Sequence, residues 1–325
     1  MKEEDIRPTE IFQEYIRLAK IDTARFFGSA PRFQNSCPVC QNQGVPSFEK
    51  SGFQYENCNS CNTLFVNPLP SQEAFNKYYT LAPSVNYWAS TFYKLTSESR
   101  REHLWKPKAN AIGEFMQQEG IRAHQIIDIG GGFGIFAEEI TKLGLIPPVI
   151  IEPGPLLAKE CRDKGFMVIE KFLEDVNWED LPIGPKLFVS FELFEHLHSP
   201  RNFLSRLNKV MSSGDYFLLT TLSCTGIDIA TLWENSNSIT PPQHILFLNP
   251  EAMRTLLEDF GFELKSISTP GKLDIDILLN GKDLIKDRFL RQAVGNLSDI
   301  QRDDFQQAIS RNGLSSHMMA ICRKP

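Results

Sequence analysis

The chain has 325 residues, 42% of them hydrophobic and 23% charged, with a formal net charge of −6. These values describe an ordinary globular protein, long enough for one large domain with appendages or for two domains. The acidic balance argues against a broad nucleic-acid-binding face, and no apolar run approaches the length that spans a bilayer.

Residues 1–36 are expected to form a helical segment. Met1 to Asp5 lead into no apolar signal core, so the expected location is cytoplasmic, with the seven cysteines reduced unless they hold metal. Residues 37–80 contain the first chemistry. Cys37-Pro38-Val39-Cys40 and Cys58-Asn59-Ser60-Cys61 are two C-x2-C pairs separated by the length expected of a zinc ribbon. Each pair can turn two thiolates to one side, and two pairs complete a tetrahedron around Zn²⁺. Four protein ligands leave no position for water or substrate, so such a zinc is structural, and it supplies stability that so small a module lacks. Between the pairs, 47–50 and 53–56 read as short strands turned at Ser51-Gly52. Cys161, Cys224 and Cys322 stand alone and are expected to pack as small apolar residues. Ser71 can cap a short helix carrying Phe75, Tyr78 and Tyr79.

Residues 81–124 read as a helical linker, with a helix over 87–119 that Pro107 bends or breaks. From Gln125 onward strands and helices alternate, ending with residue 325. Ile126-Ile127-Asp128-Ile129 is an apolar strand ending in Gly130-Gly131-Gly132-Phe133-Gly134, and Ile135, Phe136, Ile140 and Leu143 then recur at helical spacing. Glycines belong where the backbone bends sharply and lets a ligand approach. A dinucleotide fingerprint counted from Gly130 needs glycine at 135, which is Ile135. The pattern is instead D-x-G-x-G-x-G.

The second strand ends at Glu152, an acid that suits a ribose diol. A third strand over 166–169 leads to Phe172, which is placed to pack on a base or in the core. The fourth strand, 187–190, runs into Phe191-Glu192-Leu193-Phe194-Glu195-His196-Leu197 at the ligand-binding edge of the sheet. A fifth strand follows at 216–220. Gln243 and His244 then stand in a proline-flanked, polar segment that reads as a loop. Residues 262–267 are a sixth strand and 318–322 a seventh. The long connection between them, 270–316, reads as helices over 283–294 and 298–309, and connections this long are usually functional. His103, His124, His198 and His317 have no comparable context.

The glycine pattern resembles the first motif of class I S-adenosylmethionine (SAM) methyltransferases. The Glu195-His196 segment resembles the "E-x-x-E-H-l" sequence after strand four of ubiquinone-type and sugar-modifying methyltransferases. With the ribbon, the chain is similar to nucleotide-sugar methyltransferases, some of which methylate carbon. The resemblance implies an α/β, Rossmann-like fold with a mainly parallel seven-stranded sheet, an N-terminal zinc ribbon and a helical insertion. It implies SAM bound by Asp128, Gly130, Gly132, Gly134, Glu152, Phe172 and Glu192, and structural Zn²⁺ on Cys37, Cys40, Cys58 and Cys61. It also implies a small-molecule acceptor, a nucleotide-linked sugar or related polysaccharide precursor, with His244, His196 and Glu195 carrying the catalysis. Gln243 stands where the carbon-methylating members have glutamate, which leaves C-, O- and N-methylation open. Three further readings stay open: O-methylation of a phenol, methylation of RNA or a protein, and a non-catalytic scaffold binding a partner. The oligomeric state is not legible in the sequence.

Overall fold

The computed structural model describes residues 1–121, 125–176, 179 and 184–325; His124 lies outside them. In chain order the strands that matter are β1 (Gly44–Lys50), β2 (Phe53–Cys58), β3 (Leu64–Val66), β4 (Gln125–Ile129), β5 (Val149–Ile151), β6 (Val168–Ile169), β7 (Lys186–Phe191), β8 (Tyr216–Leu222), β9 (Leu246–Phe247), β10 (Glu263–Ser268) and β11 (His317–Arg323). Seven of them form one sheet in the order β10-β11-β8-β7-β4-β5-β6. Strands β4 to β8 pair in parallel, while β11 runs antiparallel to both β8 and β10.

The central strands are apolar on both sides because both faces are covered. Ile127 and Ile129 of β4 join Phe203, Leu204, Leu207, Met253 and Leu257 in one layer. Ile126, one residue out of phase, joins Ala109, Ile112, Phe136 and Ile140 in the other. Parallel pairing brings the ends of β4, β5, β7 and β8 to one edge, where the glycine loop and the Glu192–His196 segment emerge.

Strands β1, β2 and β3 form the antiparallel ribbon. Ser51 and Gly52, at φ 48° and 77°, turn β1 into β2, so the hairpin closes where the sequence placed it. The sheet has a fourth member that sequence reading missed. Strand β9, two residues after His244, pairs antiparallel with β3. Phe53, Tyr55, Leu64 and Val66 share one apolar cluster with Phe27, Phe75 and Tyr78, and with Ile239, Ile245 and Phe247 from beyond β8.

The linker is one helical run over 83–118, α-helical except for two π-helical segments, Trp88–Phe92 and Arg101–Trp105. Pro107 does not break it. It lies in the first turn of the segment Lys106–Gln118, directly after the second π-segment, where its missing N–H is tolerated. The insertion holds the expected helices as Arg288–Asn296 and Asp299–Arg311, plus an unexpected earlier one, Asp274–Asn280. Ser298 caps the last of them through the amide of Gln301. The insertion packs through Ile275, Leu278, Val294 and Ile309 onto Leu232. The expected third strand is shorter than predicted, only Val168–Ile169. No helix among the described residues is long and apolar enough to cross a membrane.

Candidate active site

The glycine loop leaves β4 with Gly130, Gly132 and Gly134 at φ 75°, 53° and 68°, a backbone that side chains disfavour. A Cβ built on Gly132 meets no heavy atom within 4 Å, so this glycine borders open space. Glu152 at the end of β5 holds the loop: its Oε2 accepts from the Gly132 amide at 3.0 Å and its Oε1 from the Gly154 amide at 2.8 Å. Asp128 is buried, and its Oδ2 has no hydrogen-bond partner among the described residues. Burial, then the charge of Glu152, pushes Asp128 up to about 7; burial also raises Glu152 to about 7, against the two amides. Two desolvated acids beside an open glycine loop form a site prepared for a ligand carrying positive charge and hydroxyls. Phe172 is 36% exposed, which rules out the core packing considered for it.

Across the edge, Glu192 follows the last residue of β7 with φ 51°. Its Oε1 accepts from the Thr220 hydroxyl at 2.6 Å, lies 2.8 Å from His317 Nε2 and 3.4 Å from Lys108 Nζ. Burial opposes ionisation of Glu192, but the charges of His317 and Lys108 with these hydrogen bonds hold it well below the usual range. Sequence reading set His317 aside and did not single out Lys108. The missed signal is topological. An antiparallel last strand begins where its parallel neighbours end, so the first residue of β11 sits opposite Leu222, the last residue of β8.

Glu195, His196 and His244 come together. Their ionisable atoms lie within 4.8 Å of one another, and the two imidazoles pack edge-on with centroids 4.8 Å apart. The Glu195 carboxylate accepts from the Thr221 hydroxyl at 2.7 Å. Burial, then the charge of Glu192, raises Glu195 to about 8. Burial, then His244, lowers His196 to about 3, and burial lowers His244 to about 4. The Tyr79 hydroxyl lies 3.4 Å from His196 Nδ1. His244 Nδ1 lies 2.6 Å from the Ser238 carbonyl oxygen, which can only accept, so Nδ1 carries the proton. In the neutral ring Nε2 is then a free lone pair. The segment around His244 is gripped on both sides. Tyr15 donates to the Gln243 side chain, and Tyr55 donates to the His244 carbonyl. His198 is structural: its Nε2 lies 2.9 Å from the Pro70 carbonyl and its ring packs on Phe75. His103 is exposed on a π-helical segment.

The sulfur atoms of Cys37, Cys40, Cys58 and Cys61 lie within 4.8 Å of one another, with Cys37–Cys61 at 3.5 Å and Cys40–Cys58 at 3.4 Å. A tetrahedral Zn²⁺ with bonds of about 2.3 Å needs sulfur–sulfur edges of about 3.8 Å, so the donor set suits that ion. Cys161, Cys224 and Cys322 are buried, as expected.

The sheet order and the acid–glycine–acid cradle define a class I methyltransferase. The family of methyltransferase domains matches residues 97–267, just over half of the chain, and the protein belongs to that family. Among curated proteins, the chain is similar to the mitochondrial ubiquinone biosynthesis O-methyltransferase of Schizosaccharomyces pombe, 25% identical over 178 residues. That match spans 52% of this chain and 62% of that enzyme. Among solved structures it is similar to a SAM-dependent methyltransferase from Archaeoglobus fulgidus (17% identity, TM-score 0.47, 71% of this chain and 100% of that one). Another is the O-methyltransferase of a trans-AT polyketide synthase from Brevibacillus brevis, in complex with S-adenosyl-L-homocysteine (15% identity, TM-score 0.46, 71% and 76%).

Proposed function

We propose that this enzyme methylates a small-molecule acceptor, a nucleotide-linked sugar or a related polysaccharide precursor, with His244 as general base. The observation that carries the reading is the tautomer of His244: Nδ1–H is committed to Ser238, leaving Nε2 to take a proton. The sulfonium already activates the methyl group, so the protein's task is to align acceptor, methyl carbon and sulfur in a dry site. SAM would supply the methyl group, and S-adenosylhomocysteine would be the product released. The acceptor's proton goes to His244, which burial keeps neutral and ready. His196 packs against that ring, and Glu195 holds the acceptor as a hydrogen-bond donor, since its raised pKa favours the protonated acid near neutrality. When bound, SAM would be held by Asp128 and Glu152, with Gly130, Gly132 and Gly134 leaving it room and Phe172 and Glu192 at its margins. Cys37, Cys40, Cys58 and Cys61 hold a structural Zn²⁺.

The similarity to a ubiquinone-pathway O-methyltransferase favours a second reading, O-methylation of a phenol. Incubation with methyl-labelled SAM and a panel of nucleoside-diphosphate sugars and catechols separates the two. Label in a sugar supports the proposal. Label only in catechols replaces it with the second reading.

A further inference from the structure

Two neighbouring hydroxyls of β8 reach two separate groups of side chains. Thr220 donates to Glu192, and Thr221 donates to Glu195. Successive residues of a strand face opposite sides of the sheet, so the two groups straddle its ligand edge. Thr220 faces the helix Lys106–Gln118, whose Lys108 Nζ lies 3.1 Å from its hydroxyl oxygen. Glu195, His196 and His244 gather on the side of Thr221. Proton removal occupies that second group. In the first, Lys108 and His317 have no assigned task.

His317 reaches this edge because β11 starts there, opposite Leu222. Its Nε2 lies 2.8 Å from Glu192 Oε1. Glu192 is held ionised and can only accept, so Nε2 carries the proton. Nδ1 has no hydrogen-bond partner among the described residues, and it is not sealed from solvent. The His317 side chain is 29% exposed and that of Glu192 37%. His244 has the same design: one ring nitrogen is committed, there to Ser238, and the other is free. The sheet order adds a constraint. The SAM cradle stands at the ends of β4 and β5, and β7, β8 and β11 all lie to one side of it. His317 is therefore on the half of the edge that also sends out the segment carrying His244.

We propose that His317 is an acceptor-binding residue: its Nδ1 hydrogen-bonds a second hydroxyl of the acceptor, while His244 serves the hydroxyl that is methylated. Glu192 is the positioning residue that fixes the ring, and Lys108, 3.4 Å from the same carboxylate oxygen, helps to fix Glu192. A hydroxyl suits this place because it donates to a bare imidazole nitrogen and accepts from a protonated one. The acceptor class narrows to molecules with at least two hydroxyls, whether sugar or catechol. An acceptor with one hydroxyl leaves Nδ1 unpaired and is used less well. This inference rests on the small-molecule reading above.

The test uses the full, zinc-loaded chain, methyl-labelled SAM and matched acceptors. Catechol is set against phenol, and uridine diphosphate glucose against those of its deoxy analogues that keep the methylated hydroxyl. The parent should prefer the fuller acceptor over one analogue by roughly ten- to a hundredfold in kcat/KM. His317→Ala should remove most of that preference by raising KM for the fuller acceptor, with kcat and S-adenosylhomocysteine affinity nearly unchanged. His317→Asn keeps a hydrogen-bonding group near the position of Nδ1, so it should restore part of the preference and keeps the test open if the alanine variant folds poorly. A merely structural histidine would lower activity on both members of a pair alike. Equal use of every pair by the parent, or the parent's preference retained in both variants, overturns the inference and leaves the small-molecule reading standing. Label in neither series sinks that reading and the inference with it.

Discussion

Tyr55, in the second strand of the ribbon, donates its hydroxyl to the backbone carbonyl of His244 at 2.6 Å. That bond joins the four-cysteine module to the proposed base. It is one of several ties. The Val66 amide donates to Ile245, the Ile245 amide donates to Glu195, and Asn249 donates to the carbonyl of Cys61. The ribbon is therefore bonded directly to the segment that carries the proposed base.

Tyr55→Phe removes the tie while keeping the ring that packs in the shared core. It should lower unfolding stability by about 1 kcal/mol, the usual net worth of one hydrogen bond. It should also lower kcat several-fold with KM for SAM unchanged, because His244 loses a support and the SAM cradle does not. Urea unfolding and steady-state kinetics check both. An unchanged kcat would mean that Tyr55 only fills space.

Removing the metal should reach further. Cys58→Ser takes the proposed ligand at the end of β2, and chelation takes the metal itself; β2 pairs with β3, which in turn pairs with β9. Faster amide exchange is expected at Leu246 and Phe247, with little change at Ile126, which packs in the opposite layer of the large sheet. Elemental analysis should find one zinc per chain in the parent and none in the variant. Metal-free parent protein with full thermal stability would contradict the zinc assignment.

Binding of SAM should expel protons. Asp128 and Glu152, raised to about 7, are partly protonated near neutrality, and a cationic ligand favours their ionised forms. The sign for folding is opposite. These raised values favour the folded state below the ordinary carboxylate range, and that contribution is lost as pH rises through about 7. SAM affinity should instead rise with pH up to that point, by up to about tenfold per pH unit for one displaced proton, and then level off. Calorimetry in buffers of different ionisation enthalpy measures the release. Asp128→Asn should lower affinity and remove part of it. Equal affinity across the range would show that both acids are ionised before SAM arrives.

Local pattern made the catalytic sheet legible. Asp128 to Gly134 combines a buried strand, left-handed glycines and a following helix, all encoded within a dozen neighbours. Glu152, Glu195 and His196 were legible because parallel strands end at one edge. Contacts that depend on distant segments were not. Lys108 meets Glu192 from a helix 84 residues away in sequence, and Tyr15 meets Gln243 across 228. His317 was hidden by strand direction: read as the start of the last strand it looks structural, although an antiparallel strand starts at the cleft. Strand β9 is too short, at two residues, to have a period of its own. The helix Asp274–Asn280 escaped because no side-chain cap marks its start.

The central claim is that His244 takes the acceptor's proton, and one comparison tests it most directly: methyl transfer by the parent and by His244→Asn, at saturating SAM, across pH. Burial lowers His244 to about 4 and His196 to about 3, below the ordinary imidazole value, so both are neutral through the physiological range. Stability from these lowered values is present above about 6.5 and is lost as pH falls through about 4, so acidic points must be checked for folding. The parent should keep its rate well below the pH at which an exposed histidine would lose it. The variant should lose roughly a hundred- to ten-thousandfold in kcat, as expected when a general base is removed. Near-normal rates in the variant at every pH would contradict the account.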